Sequence, residues 1–307
     1  EHAPISYLIQ QGKIEAAVDA IQAQIQINPL LFHAGLLHEM AASCIIHSLK
    51  STDEDIFLAL YAVAIMHDEA LLHSIEPVIL SSNPFIQLIA CRILSSFESD
   101  TANHMLMKCL QSDFLPIRLE AALEIAQRKL PNALEQIEAL YWKSDQEIKP
   151  AIVSLFGYEG SYEATQFLHR LLYNEDINTR LASILAIAMC EPQETIYEQI
   201  AVLDDPDPRI QEACAFALGN SSSLASQKKL EALCHAMDEQ VVLAASYSLY
   251  RQGIKEYLDL IEQLAEDGNP FALYLLASLH TENNPQIEAL IQSDDYLISL
   301  NAAFATL

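Results

Sequence analysis

The sequence predicts an all-α chain, a right-handed α-solenoid of about eight to nine stacked helical hairpins, and three observations predict it. A mostly apolar column recurs at Ile56, Ile86, Ile117, Ile148, Thr179, Ile210, Val241 and Phe271, in steps of 30 or 31 residues. A side chain able to cap a helix stands just before most of these positions. Small and aliphatic residues follow them at helical spacing, with no alternating strand pattern and no Asn-Gly hairpin signal between. A period of roughly 20 to 50 residues marks units too small to bury their own apolar face, so they must stack on one another.

The caps come first in each unit. Asp53, Asn83, Asp145, Asp176, Asp207 and Asp238 lie three residues before the column, and Asp113 lies four before Ile117. Such a side chain accepts from unpaired amides of the first turn, and a carboxylate suits the positive end of the helix dipole. Pro84 and Pro208 follow their caps directly, at the first helical position, where a missing N–H costs nothing. Positions four, five and eight after the column then carry Ala121, Ala122 and Ile125, or Cys214, Ala215 and Leu218, or Ala245, Ser246 and Leu249. These share one face of a 3.6-period helix, and their small size lets a neighbour approach closely.

A second amphipathic helix follows in each unit. The expected spans are Glu69 to Leu80, Thr101 to Leu110, Pro131 to Trp142, Tyr162 to Tyr173, Pro192 to Leu203, Ser223 to Ala236 and Ile254 to Glu266. Two helices in about 31 residues leave no room for a strand. Glycines fall near helix ends, as at Gly219, Gly253 and Gly268.

The stretch DPDPRIQEACAFALG (Asp205 to Gly219) resembles the Asp-Pro-x-x-Val-Arg-x-x-Ala-x-x-x-Leu-Gly signature of HEAT repeats, in the short variety of phycobilin-lyase-like proteins. SDFLPIRLEAALEIA (Ser112 to Ala126) and NEDINTRLASILAIA (Asn174 to Ala188) repeat it. The resemblance extends over residues 52–307 and implies one array of HEAT-like hairpins. Residues 1–51 depart from it and are expected to form an atypical N-terminal helical cap. Within them Gln10 to Pro29 is similar to half a tetratricopeptide repeat, with Gly12, Ala17 and Pro29 at matching spacing, and one more helix is expected from Leu30 to Leu49. Terminal repeats are atypical because they close the open end of a stack.

Composition narrows the function. The chain is 51% hydrophobic, enough for a large elongated core, yet no run of 18 apolar residues lacks a charge or proline, so no membrane span is expected. Glu1 is not followed by a signal-peptide pattern, which together with reduced-looking cysteines points to a cytoplasmic protein. The absence of an initiator Met suggests a trimmed start, and the stripe of Ala302, Ala303, Phe304 and Leu307 suggests a further helix or a partner over that end. Cysteines 44, 91, 109, 190, 214 and 234 form no C-x-x-C pair and read as small buried hydrophobes rather than disulfide or metal ligands.

The formal charge of −26, from 42 acidic and 16 basic residues, repels phosphate and argues against nucleic acid as a partner. It favours partners with basic flanks by steering their approach. Arg118, Lys149 and Arg180 each follow the column by one residue, where HEAT-like repeats carry an Arg facing an Asp of the next unit. Asp145, Asp176 and Asp207 are their expected partners, in a structural ladder of ion pairs.

Helix geometry turns positions three, six, seven and ten after the column outward, and in HEAT-like arrays this helix lines the concave face. In the first two units these are Ala59, Ala62, Val63 and Met66, then Ile89, Arg92 and Ile93; Leu123 follows. Leu155, Tyr158, Leu185, Met189, Phe216, Tyr247, Arg251 and Tyr274 complete the surface, as candidates for a partner-binding groove. Contiguous exposed apolar area tends to mark interaction sites, and Tyr, Phe, Met and Arg are enriched in interfaces. The competing reading is that the plus-six column packs between adjacent repeats.

The expected function is a non-enzymatic scaffold or adaptor that holds a protein helix or peptide in an apolar groove. Two other readings stand beside it: a lyase or chaperone for a chromophore or cofactor, which needs a deep pocket with convergent polar groups, and an architectural module of a larger protein. A HEAT-like di-iron hydroxylase family uses several His-Glu dipeptides, but only His38-Glu39 is present, with His67-Asp68 a poor second. No nucleophile motif, phosphate loop or HExxH zinc motif occurs, so no catalytic residue, metal or cofactor is expected.

Overall fold

The computed structural model describes residues 3–27, 34–190, 194–279 and 285–305. The expectations on Pro29, Leu30, Pro192 and Leu307 lie outside these. Every regular element among the described residues is helical, as an α-solenoid requires, and the chain divides into two compact units, residues 1–136 and 137–307.

The first unit holds α1 (Ala3–Gln10), α2 (Ile14–Ile27), α3 (Ala34–Ser48), α4 (Asp53–Met66), α5 (Leu72–Ile75), α6 (Pro84–Ser95), α7 (Asp100–Cys109) and α8 (Leu115–Gln127). Gly12 turns the chain between α1 and α2 with φ +70°, and Ala17 is fully buried in a cluster with Ile5, Ile9, Leu36 and Met40. Helices α4, α6 and α8 lie side by side, with α7 packed behind α6 and α8.

The second unit follows α9 (Ala133–Lys143) with α10 (Lys149–Glu159), α11 (Tyr162–Leu171), α12 (Ile177–Met189), α13 (Glu194–Ala201), α14 (Pro208–Leu218) and α15 (Leu224–Leu233). It ends with α16 (Glu239–Arg251), α17 (Leu258–Glu266), α18 (Pro270–Leu279), α19 (Pro285–Ile291) and α20 (Tyr296–Ala305). Here α10, α12, α14, α16, α18 and α20 pack each against the next, forming one layer. The intervening helices fill in behind them.

Capping explains most of these starts. Asn83, Asp176, Asp207 and Asp238 are N-caps whose side chains accept first-turn amides, and Pro84 and Pro208 open α6 and α14. Three expected caps are corrected. Thr52 rather than Asp53 caps α4, accepting from the Asp55 amide. Neither Asp113 nor Asp145 is an N-cap, because Phe114 and Ile148 hold those positions without a side-chain bond. Pro116 and Pro150 stand in the first turns of α8 and α10, and each removes one of the amides a cap would otherwise satisfy.

The column is the core. Ile86, Ile117, Thr179, Ile210 and Val241 are fully buried, each apolar member worth about 1.5–3 kcal/mol of transfer free energy. Thr179 is tolerated because its hydroxyl donates to the Asp176 carboxylate at 2.8 Å. Ile56, Ile148 and Phe271 are only partly buried. At Gly157 the neighbouring backbones meet: a Cβ there would come within 2.8 Å of the Ala186 carbonyl oxygen and 3.0 Å of its Cα, so α10 and α12 touch backbone to backbone.

Two second helices differ from expectation. Glu69 to Leu80 is not one helix but a 3-10 turn (Glu69–Leu71), α5 and another 3-10 turn (Val78–Leu80), with Pro77 between them. Its missing N–H and its ring break an α-helix at that point. Ile254 to Glu266 likewise opens with a 3-10 turn, Lys255–Tyr257, before α17.

The ion-pair ladder is also corrected. Arg180 bridges to the next hairpin, but to Asp205 at 2.8 Å rather than Asp207. Asp207 is held by its own helix instead, pairing with Arg209 at 3.1 Å. Lys149 lies over the rings of Tyr141 and Trp142, and Arg118 donates to the Ser112 carbonyl.

A different ladder joins the repeats at the other helix end. Eleven positions after the column, Arg128 donates to the Ser95 and Phe97 carbonyls of the preceding hairpin, and Gln252 to those of Leu218 and Ser221. Each satisfies carbonyls that a helix C-terminus leaves unpaired. Cysteines 91, 109, 190 and 214 are buried as expected and Cys234 is half-buried, but Cys44 is exposed because it faces outward on α3.

Candidate protein-binding face

The sequence places the candidate residues at matched positions on consecutive helices, and in the second unit those helices form one layer. Tyr158 lies at the end of α10, Leu185 and Met189 one turn apart on α12, Phe216 on α14, Tyr247 and Arg251 on α16, and Tyr274 on α18. Tyr158, Leu185, Met189 and Tyr274 are 40%, 49%, 47% and 60% exposed. Leu155 is corrected: at 5% exposure it lies beneath this surface, because the Gly157 contact draws α10 onto α12.

The aromatic residues are joined. Phe216 meets Tyr247 edge-on at 6.0 Å between ring centroids and Phe271 at 6.1 Å. All three pack partly against a core cluster that includes Leu243, Leu273 and Leu276. The plus-six aromatics thus do both things the sequence left open, packing between repeats while keeping an open edge. The Arg251 guanidinium lies 5.8 Å from the Tyr247 ring centre, and the Tyr247 hydroxyl accepts from Ser278 on α18 at 3.2 Å. One strip therefore runs from α14 to α18 through direct contacts, with the α12 pair beside it.

The first unit departs from the expected pattern. Ala59, Val63 and Ile93 are buried, whereas Leu58, Tyr61 and Ile65 stand exposed on α4. Arg92 is exposed and pairs with Glu120 at 3.0 Å. Ile56 and the eleven residues after it include no charge, so apolar patterning could not fix which face of α4 turns inward.

The His-Glu dipeptide is engaged locally. His38 Nε2 lies 2.7 Å from the Asp68 carboxylate, which is held below its ordinary value by the Ala70 amide and by His38, while Glu39 accepts from the Ser6 hydroxyl. Among the described residues, no three His, Cys, Asp or Glu side chains gather closely enough to hold a metal ion. No helix among them is long and apolar enough to cross a membrane.

Residues 164–251 match the family model described as HEAT repeats. No curated protein matches the chain. Among solved structures, the chain is similar to YibA of E. coli, at 14% identity over 84% of this chain and 97% of that one, TM-score 0.46. It is similar to the CpcE and CpcF complex of phycocyanin lyase from Nostoc, at 17% identity over 66% and 86%, TM-score 0.47. Human deoxyhypusine hydroxylase is a third, at 13% identity over 79% and 97%, TM-score 0.37. Residues 164–251 thus carry HEAT repeats, and capped helices continue the same 30- or 31-residue period on either side of them.

Proposed function

We propose that this chain is a non-enzymatic interaction scaffold that binds a helix or extended peptide of a partner protein along the α10 to α18 face. HEAT repeats generally serve as protein-binding scaffolds. The observation that carries the proposal is exposed aliphatic, Met and Tyr side chains on neighbouring helices of a chain with formal charge −26. Such a surface loses water favourably when covered, and a few aromatic anchors supply most of the energy. Surrounding carboxylates favour basic flanks on the partner through faster encounter. In the same reading, residues 1–51 close the end of the 52–307 array.

A library of phage-displayed peptides selected against the full chain tests this. Phe216 and Tyr247 support the core, so the exposed residues are the cleaner probes. Leu185→Asp with Met189→Asp is expected to weaken the selected peptides by about tenfold or more while leaving the melting temperature nearly unchanged. Leu224→Asp, on an exposed residue of α15, is expected to leave binding intact. Peptides indifferent to the α12 pair contradict the proposal.

A further inference from the structure

The candidate face of the second unit carries a charge pattern opposite to that of the chain. At the plus-six and plus-ten positions from α10 to α16 stand serine, tyrosine, leucine, methionine, phenylalanine and asparagine, with no carboxylate. The sole charge among those positions is Arg251, in a chain where acidic residues outnumber basic ones 42 to 16. Of the other arginines of the second unit, Arg180 is bound to Asp205 and Arg209 to Asp207, while Arg170 lies over the Phe167 ring on α11, outside this face. Arg251 is exposed, and among the described residues no carboxylate pairs with it. Its guanidinium instead lies against the Tyr247 ring, and Tyr247 is itself tied to α14 by Phe216 and to α18 by Ser278.

From this we infer that the partner segment bears an Asp or Glu that docks on Arg251, within an otherwise uncharged stretch lying along Leu185, Phe216 and Tyr274. The inference rests on the interaction-scaffold reading and names the chemistry of its ligand. An arginine held over an aromatic ring has already lost much of its side-chain freedom, so a carboxylate can form a fork-shaped pair at low entropic cost. As the partner covers the apolar strip it excludes water, which strengthens that pair and leaves a lysine at the same place facing a desolvated like charge. Elsewhere the negative surface disfavours acidic residues on a ligand. The signature is therefore positional: one acid at a fixed distance from the apolar anchors, with basic residues confined to the flanks.

The test repeats the peptide selection on the full chain and on Arg251→Glu, with Arg209→Glu as a control that changes net charge equally away from this position. Wild type and Arg209→Glu are expected to enrich an Asp or Glu at one spacing from an aromatic or aliphatic anchor. Changing that acid to its amide in a synthetic peptide should weaken binding roughly tenfold or more. Arg251→Glu should select Lys or Arg at the same spacing. Peptides that depend on Leu185 but show no acidic position, and bind Arg251→Glu equally well, overturn this inference while leaving the face intact. Absence of any Leu185-dependent peptide overturns the face, and this inference with it.

Discussion

Asp176 and Glu212 carry carboxylates that the fold treats in opposite ways. Burial opposes the charge on Asp176, but the Thr179 hydroxyl and amide, Gln146 and Arg180 outweigh it and hold the carboxyl below its ordinary value of 3.8. The folded state thus prefers the ion, and the stabilisation is present above that value and lost as pH falls through and below it. Asp176→Ala should cost about 1–2 kcal/mol at pH 7, since it removes the α12 cap and takes away the acceptor of the buried Thr179 hydroxyl, which keeps only its bond from Gln146. Asp176→Asn should keep much of the cap and flatten the acid limb of a stability-against-pH curve. For Glu212, burial and then the Asp238 charge push the carboxyl above its ordinary value of 4.5. Here the folded state resists the ion, so Glu212→Gln should stabilise at pH 7, by roughly half a kcal/mol after solvent screening, and change nothing near pH 3. Urea titrations at the two pH values check both signs.

At the scale of the helix, the contact of α10 with α12 is the most demanding. Gly157→Ala would drive a methyl group into the Ala186 backbone, which cannot move aside as a side chain could. It should cost about 1–3 kcal/mol or more, read as a lower melting temperature, whereas a glycine in an exposed mid-helix position would gain from the same change. The sequence hid this, because a lone mid-helix glycine reads only as a weak spot. Periodicity found the capped helices and their buried column, since that pattern repeats across hairpins. It failed where information was local: α4 has no polar face to set its rotation, and Pro77 breaks what the apolar spacing drew as one helix. The Arg128 and Gln252 bonds to preceding hairpins escaped because their acceptors are backbone carbonyls, which leave no mark on residue types. Of the candidate face, the exposed Leu, Met and Tyr positions followed from helical spacing alone, whereas the burial of Leu155 depends on how closely α10 and α12 approach.

For the molecule as a whole, charge is the dominant feature. A formal charge of −26 on a 307-residue chain produces self-repulsion that added salt screens. Raising NaCl from about 20 to about 200 mM should therefore raise the melting temperature, because few exposed ion pairs exist among the described residues to be weakened in exchange. A fall over that range would mean the exposed ion pairs, such as that of Arg92 with Glu120, outweigh the repulsion. The same field bears on function, making the strip on the α10 to α18 face, whose one charge is Arg251, a local exception to its surroundings. The most direct measurement of the central claim is NMR with methyl and aromatic labels, adding a selected peptide to the full chain. The account predicts shifts concentrated on Leu185, Met189, Tyr247 and Tyr274. Shifts gathered instead on the layer of Val202 and Leu224, with those four residues unmoved, would contradict it.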